Sequence, residues 1–184
     1  MHSSLGPVAA INELGKIHVI TGPGKGKTTA AFGLAMRASG HGLRVCIIQF
    51  MKTGEATGEA IAAKRLKNIE VAQFGTGKFV NPKRVTKADQ ACAREAMDYL
   101  KRRVEGGGCD ILILDEVNVA VPFGLVRAEE ILKILRSRDE GIEVVLTGRN
   151  APKEFIECAD YVSTIDSKKH PHSEGLNPRE GVEW

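Results

Sequence analysis

"TGPGKGKTTA", residues 21–30, closes the apolar run "KIHVIT" (16–21) and opens a stretch of good helix formers (27–39). A glycine-rich segment in that position reads as a phosphate loop, the plainer alternative being a strand-to-helix turn with surface lysines. Gly22, Gly24 and Gly26 permit backbone conformations closed to other residues, so successive N–H groups can converge on anionic oxygens. The positive end of the helix starting at Lys27 lies behind them. Lys27 adds a point charge and Thr28 a hydroxyl for Mg²⁺. In the general G-x-x-x-x-G-K-[ST] pattern the first position is glycine, whereas here it is Thr21. The loop is therefore a variant. Its nucleotide-binding candidates are Gly22, Pro23, Gly24, Lys25, Gly26, Lys27, Thr28 and Thr29.

Outward from the loop, further strands are expected at 44–50, 69–74, 110–115, 143–147 and 161–165. Several are continuous apolar runs, which suits strands buried on both faces of a parallel sheet. Helix formers fill about 59–67, 86–105, 127–138 and 152–159. The second of these intervals opens with "TKAD", where Thr86 can cap and Asp89 sits in the first turn, and "EGGG" ends it. The fold class expected is α/β: an open, mostly parallel sheet with helices on both faces, P-loop NTPase-like and RecA-like. Such folds bind ligands at the carboxyl ends of the strands. Residues 1–184 are expected to form one domain, with less regular segments at 1–14 and 166–184.

"CDILILDEVNVAV" (109–121) supplies the second chemical element, an apolar strand ending in Asp115 and Glu116. There a carboxylate can reach the Thr28 hydroxyl through Mg²⁺ or its water, so Thr28, Asp115 and Glu116 are the metal candidates. The "TGR" at 147–149 carries Arg149 toward the same sheet edge, where it can meet phosphate. Other segments are plainer: "GHGLR" (40–44) reads as a helix-ending turn, His18 as a core-facing strand residue, and "KHPHSE" (169–174) as a solvated tail or phosphate contact.

Composition excludes several classes. A formal charge of +3 from 26 basic and 23 acidic residues, with 5% aromatic content, argues against a general nucleic-acid partner. No apolar stretch approaches the roughly 18 to 20 residues of a membrane span. The four cysteines never form C-x-x-C, which points to a cytoplasmic setting and excludes a paired-cysteine zinc site. There is neither an N-K-x-D for guanine nor a D-x-x-G switch after the loop.

The chain resembles the P-loop ATP:corrinoid adenosyltransferases, which make adenosylcobalamin from ATP and reduced cobalamin or its precursors. The likeness runs from Lys16 onward and is carried by "TGPGKGKTTAAFGLAMRASGHG", "IIQFMK", "LILDEV", "VVLTGR" and "KHP…G…GVEW" in that order. The family's loop also has threonine where the general pattern has glycine. The resemblance implies that residues 22–28 wrap a triphosphate, that Lys27 neutralises it, and that Thr28 and Glu116 hold Mg²⁺ with Asp115 in support. Lys27 and Glu116 are then the catalytic candidates.

It further implies attack of cobalt(I) on the ribose C5′ with release of triphosphate, the nucleotide lying reversed in the loop relative to ordinary NTPases. A cobalt reductant and a homodimer come with it. Gln49, Lys52, Lys78 and Phe79 are the corrinoid candidates. Bacterial members carry an aromatic "GFTW"-like segment under the corrin; the corresponding stretch here is "GTGKFVNPKR" (75–84), which keeps Phe79 but has no tryptophan. Two other readings stay open at this point: a phosphoryl-transfer ATPase or small-molecule kinase, and an ATP-dependent corrinoid-binding sensor.

Overall fold

The computed structural model describes residues 14–53, 57–169, 171, 175 and 177–182. Six strands form one sheet: β1 (Ile17–Thr21), β2 (Val45–Phe50), β3 (Ile69–Phe74), β4 (Ile111–Asp115), β5 (Glu143–Thr147) and β6 (Tyr161–Thr164). Their order is β3-β2-β4-β5-β1-β6, and every pairing is parallel. Between them run α1 (Lys27–Gly40), α2 (Gly58–Ala63), α3 (Lys87–Gly106), α4 (Val117–Ala120), α5 (Ala128–Arg136) and α6 (Lys153–Cys158).

The continuous apolar strands have the physical cause expected of them. Along β2, Cys46, Ile48 and Phe50 pack with α3 and α5 on one face, while Val45 and Ile47 pack with α1 on the other. Both faces are dry, so no position of β2 is free to be polar without a partner. Helix α1 lies on the sheet through Ala31, Ala35 and Ala38, small residues that permit close approach. In α5, Ile131, Leu132, Ile134 and Leu135 are buried, with Glu129 and Glu130 in the first turn and Lys133 and Arg136 in the last, the arrangement that complements a helix dipole.

Helix α3 begins with a full capping box. Thr86 Oγ1 accepts from the Asp89 amide at 3.2 Å, and Asp89 Oδ2 accepts from the Thr86 amide at 2.9 Å. The helix ends at Gly106 as expected, followed by Gly107 and Gly108 in the left-handed region (φ 64° and 83°). The one element without a sequence-based expectation is α4, a single turn directly after β4.

His18 differs from expectation. Its neighbour Val19 takes the core position, and His18 Nε2 lies 2.5 Å from Glu143 Oε1 while its ring stacks on Tyr161 at 4.5 Å. The period-two alternation of a strand sends adjacent residues to opposite faces. Residues 1–13 fall outside the described residues, as do His170 and 172–174 of the "KHPHSE" segment. Among the described residues no helix is long and apolar enough to cross a membrane.

Candidate active site

Because all strands run the same way, their carboxyl ends gather at one edge of the sheet. The loop of residues 22–26 leaves β1 there, and α1 begins without any side-chain cap, so its first-turn amides remain available to an anion. Gly22 and Gly26 have φ of 102° and 117°. Gly24 is required for another reason: a Cβ there would stand 2.6 Å from the Asp166 carbonyl oxygen. The strand extension after β6 clasps the outside of the loop, with the Ile165 amide donating to Thr21 O (2.8 Å) and the Gly24 amide donating to Ile165 O (2.7 Å). The Gly24 N–H is thus spent on the clasp instead of facing into the cradle.

Lys27 is 7% exposed and its ammonium donates to Gly24 O at 2.6 Å. Burial, and then the Arg149 charge, lowers its pKa below the ordinary lysine value, against the opposing pull of Glu116 and Asp115.

Asp115, fully buried at the end of β4, is the hub of the site. Its Oδ1 accepts from Thr28 Oγ1 (2.9 Å) and Thr147 Oγ1 (2.5 Å); its Oδ2 accepts from Gln49 Nε2 (2.8 Å) and Lys52 Nζ (2.8 Å). Burial alone would raise the carboxyl pKa, but the Lys52 charge and hydrogen bonds from Lys52, Thr147 and Gln49 outweigh it and hold the group below the usual range. The hub is a product of strand register. Gln49 stands opposite both Asp115 on β4 and Gln73 on β3, and Gln73 Nε2 donates to Gln49 Oε1 at 2.8 Å.

Glu116 follows in a left-handed conformation (φ 64°) that turns the chain into α4. Its carboxylate accepts no hydrogen bond from the described residues, and burial followed by the neighbouring Asp115 charge raises its pKa. The other left-handed non-glycine residues described, Met51 (φ 59°) and Asn150 (φ 53°), follow the ends of β2 and β5. Such backbone is costly and tends to concentrate at working sites.

Among the described residues no three His, Cys, Asp or Glu form a self-contained metal cluster. One hydroxyl and adjacent carboxylates at the mouth of a phosphate loop instead fit Mg²⁺, which is usually held by one or two carboxylates together with phosphate oxygens and waters.

A cleft of about 1290 Å³ opens over this edge, lined by the loop, Lys52, Glu116, Arg149, Lys78 and Phe79 among others. Its volume exceeds the ~300–1,000 Å³ typical of a single small-ligand pocket. Besides its charged groups it presents the exposed apolar side chains Phe79 (91% exposed), Met36 (63%) and Val182 (51%). The segment bearing Phe79 is anchored on either side, by Thr76 Oγ1 donating to Asp89 (3.1 Å) and by buried Val80.

The structure therefore brings Lys27, Thr28, Asp115, Glu116 and Arg149 to one edge, with Lys78 and Phe79 lining the same cleft. Gln49 and Lys52, expected among the corrinoid contacts, sit on Asp115 instead. Gln49 is fully buried with both ends of its amide engaged, so it supports the carboxylate rather than facing a ligand. Sequence reasoning missed Gln73 and Thr147. The available signal was a polar residue at or next to the carboxyl end of a strand, Thr147 last in β5 and Gln73 penultimate in β3.

A sequence model of the family described as ATP:corrinoid adenosyltransferase BtuR/CobO/CobP matches residues 13–184. The corrinoid adenosyltransferase of Escherichia coli K12 is 35% identical over 175 residues, covering 95% of this chain and 88% of that protein. The corrinoid adenosyltransferase of Pseudomonas aeruginosa is 32% identical over 176 residues, covering 95% and 86%. Among solved structures, a KaiC-like protein from Pyrococcus horikoshii OT3 superposes with a TM-score of 0.56 at 16% identity, over 85% of this chain and 75% of that one. This last likeness is one of fold, the P-loop NTPase-like α/β sheet.

Proposed function

Since the chain belongs to the ATP:corrinoid adenosyltransferase family and is an adenosyltransferase, we propose that it moves the 5′-deoxyadenosyl group of MgATP onto the cobalt(I) of a corrinoid and releases triphosphate intact. The observation that carries this reading is the make-up of the cleft: phosphate-gripping groups and an exposed aromatic on an anchored segment line one volume larger than a single small ligand needs. Family membership supports ATP and corrinoid as the pair.

The cobalt(I) substrate is itself the nucleophile, and no Ser-His-Asp or Cys-His set is needed. The protein's task is to align C5′ with cobalt and to stabilise charge on the departing triphosphate. The α1 amides and Lys27 serve that charge, with Arg149 beside them. Glu116 and Thr28 hold Mg²⁺, and Asp115 orients the Thr28 hydroxyl through their 2.9 Å hydrogen bond. When bound, Mg²⁺ supplies charge that screens the phosphate oxygens from one another. Phe79 packs against the corrin as an apolar wedge and Lys78 meets its polar side groups. The four cysteines are free thiols, in keeping with a cytoplasmic enzyme that depends on a separate cobalt reductant and works as a homodimer.

The test is product analysis. Protein incubated with ATP, Mg²⁺ and chemically reduced cobalamin should yield a light-sensitive cobalt–carbon adduct and triphosphate in equal amounts. ADP and phosphate as the products, with or without corrinoid, would identify a phosphoryl-transfer enzyme and sink the proposal.

A further inference from the structure

Lys52 lines the cleft, but its ammonium is engaged by side chains of the site. Its ammonium lies 2.8 Å from Asp115 Oδ2 and 3.3 Å from Thr28 Oγ1, bridging the hydroxyl proposed to hold the divalent cation and the carboxylate that orients it. Nζ therefore competes with an incoming ion, which would bond Thr28 Oγ1 at ~2.0–2.1 Å, for the oxygens at this position. Of the four donors to Asp115 among the described residues, the two hydroxyls and the Gln49 amide are neutral, and Lys52 is the charged one.

We propose that the Lys52 ammonium guards the divalent-cation position, so that metal enters only as a chelate with triphosphate and unaccompanied metal is refused. Formal charges give the reason. Asp115 and Glu116 are offset by Lys52, Lys27 and Arg149, which leaves these groups net positive; a doubly positive ion added alone would be unbalanced, whereas one arriving with a polyanion is not. The side chain has somewhere to go. It is 24% exposed, lines the cleft and follows the left-handed Met51, so it can swing toward solvent or phosphate without disturbing β2.

The inference rests on the metal reading above, and Mn²⁺ binding followed by electron paramagnetic resonance on the full chain separates the two. Without nucleotide, wild type should bind Mn²⁺ weakly, Lys52→Met at least about tenfold more tightly, and Lys52→Arg as weakly as wild type. ATP should then tighten protein-bound Mn²⁺ far more in wild type than in Lys52→Met. Should Lys52→Met fail to fold, Lys52→Gln removes the charge while keeping a donor for Asp115, and the same tightening is expected. Equal nucleotide-free affinities in wild type and the uncharged variant, with ATP still recruiting Mn²⁺ to both, overturn the guard and leave the metal site standing. If ATP recruits no Mn²⁺ to wild type, or recruits it undiminished to Thr28→Ala, the metal site itself falls and the guard with it.

Discussion

Asp115 carries a full charge at zero exposure because each of its oxygens has two donors. Asp115→Asn removes the partner of Lys52 and misplaces a donor against Gln49, so it should cost on the order of 3 kcal/mol in urea unfolding. The pH dependence has a definite sign. The folded carboxyl is held below its unfolded value near ~3.9, so its contribution is complete above that pH and disappears as pH falls through the lower folded value. Wild type and Asp115→Asn should thus converge in stability under acid. Lys27→Ala addresses chemistry instead: with its ammonium proposed to serve the leaving group, kcat should fall by about 10²-fold or more while circular dichroism is unchanged. Lys27, Thr28, Asp115 and Glu116 were legible in sequence because each sits at a strand end or helix start, which local pattern reveals. Gln49, Gln73 and Thr147 were not, since their roles arise from register between strands distant in the chain.

The capping box at α3 ties an element to the site, because Asp89 also accepts from Thr76 in the segment that leads to Phe79. Asp89→Ala should destabilise the protein by about 1 kcal/mol at neutral pH in urea titrations. The Thr86 hydroxyl and amide hold the Asp89 carboxyl below its ordinary range, so this difference should persist down to about pH 4 and fade only below it. Strand positions and the longer helices could be read from apolar runs bounded by turn residues. What could not be read is the order of the strands: β5 lies between β4 and β1, although β4 and β5 are separated from β1 by most of the chain. Crossover choice depends on which faces pack together. The turn α4 was equally hidden, since it exists because Glu116 adopts a left-handed conformation that its residue type does not announce.

At the scale of the molecule, one cleft is lined both by ionic groups and by the exposed Phe79, and the proposed nucleotide and corrinoid ends should be separable by kinetics. Phe79→Ala deletes an exposed ring rather than a core side chain, so the fold should be unaffected. Its KM for corrinoid should rise about tenfold or more while KM for ATP stays put. A rise in both would mean that the two ends are not independent.

The clasp between the phosphate loop and residues 165–166 carries a last consequence. Among the described residues strand β6 is exposed along its length and pairs with β1 alone, so there its amides are protected by little besides that partner and the loop. Nucleotide that steadies the loop must also suppress local opening of this outer strand, through linkage and without touching it. Deuterium uptake at the Ile165 amide then becomes a remote gauge of occupancy, slowing as ATP saturates the enzyme, and it can be followed in variants too crippled to turn over.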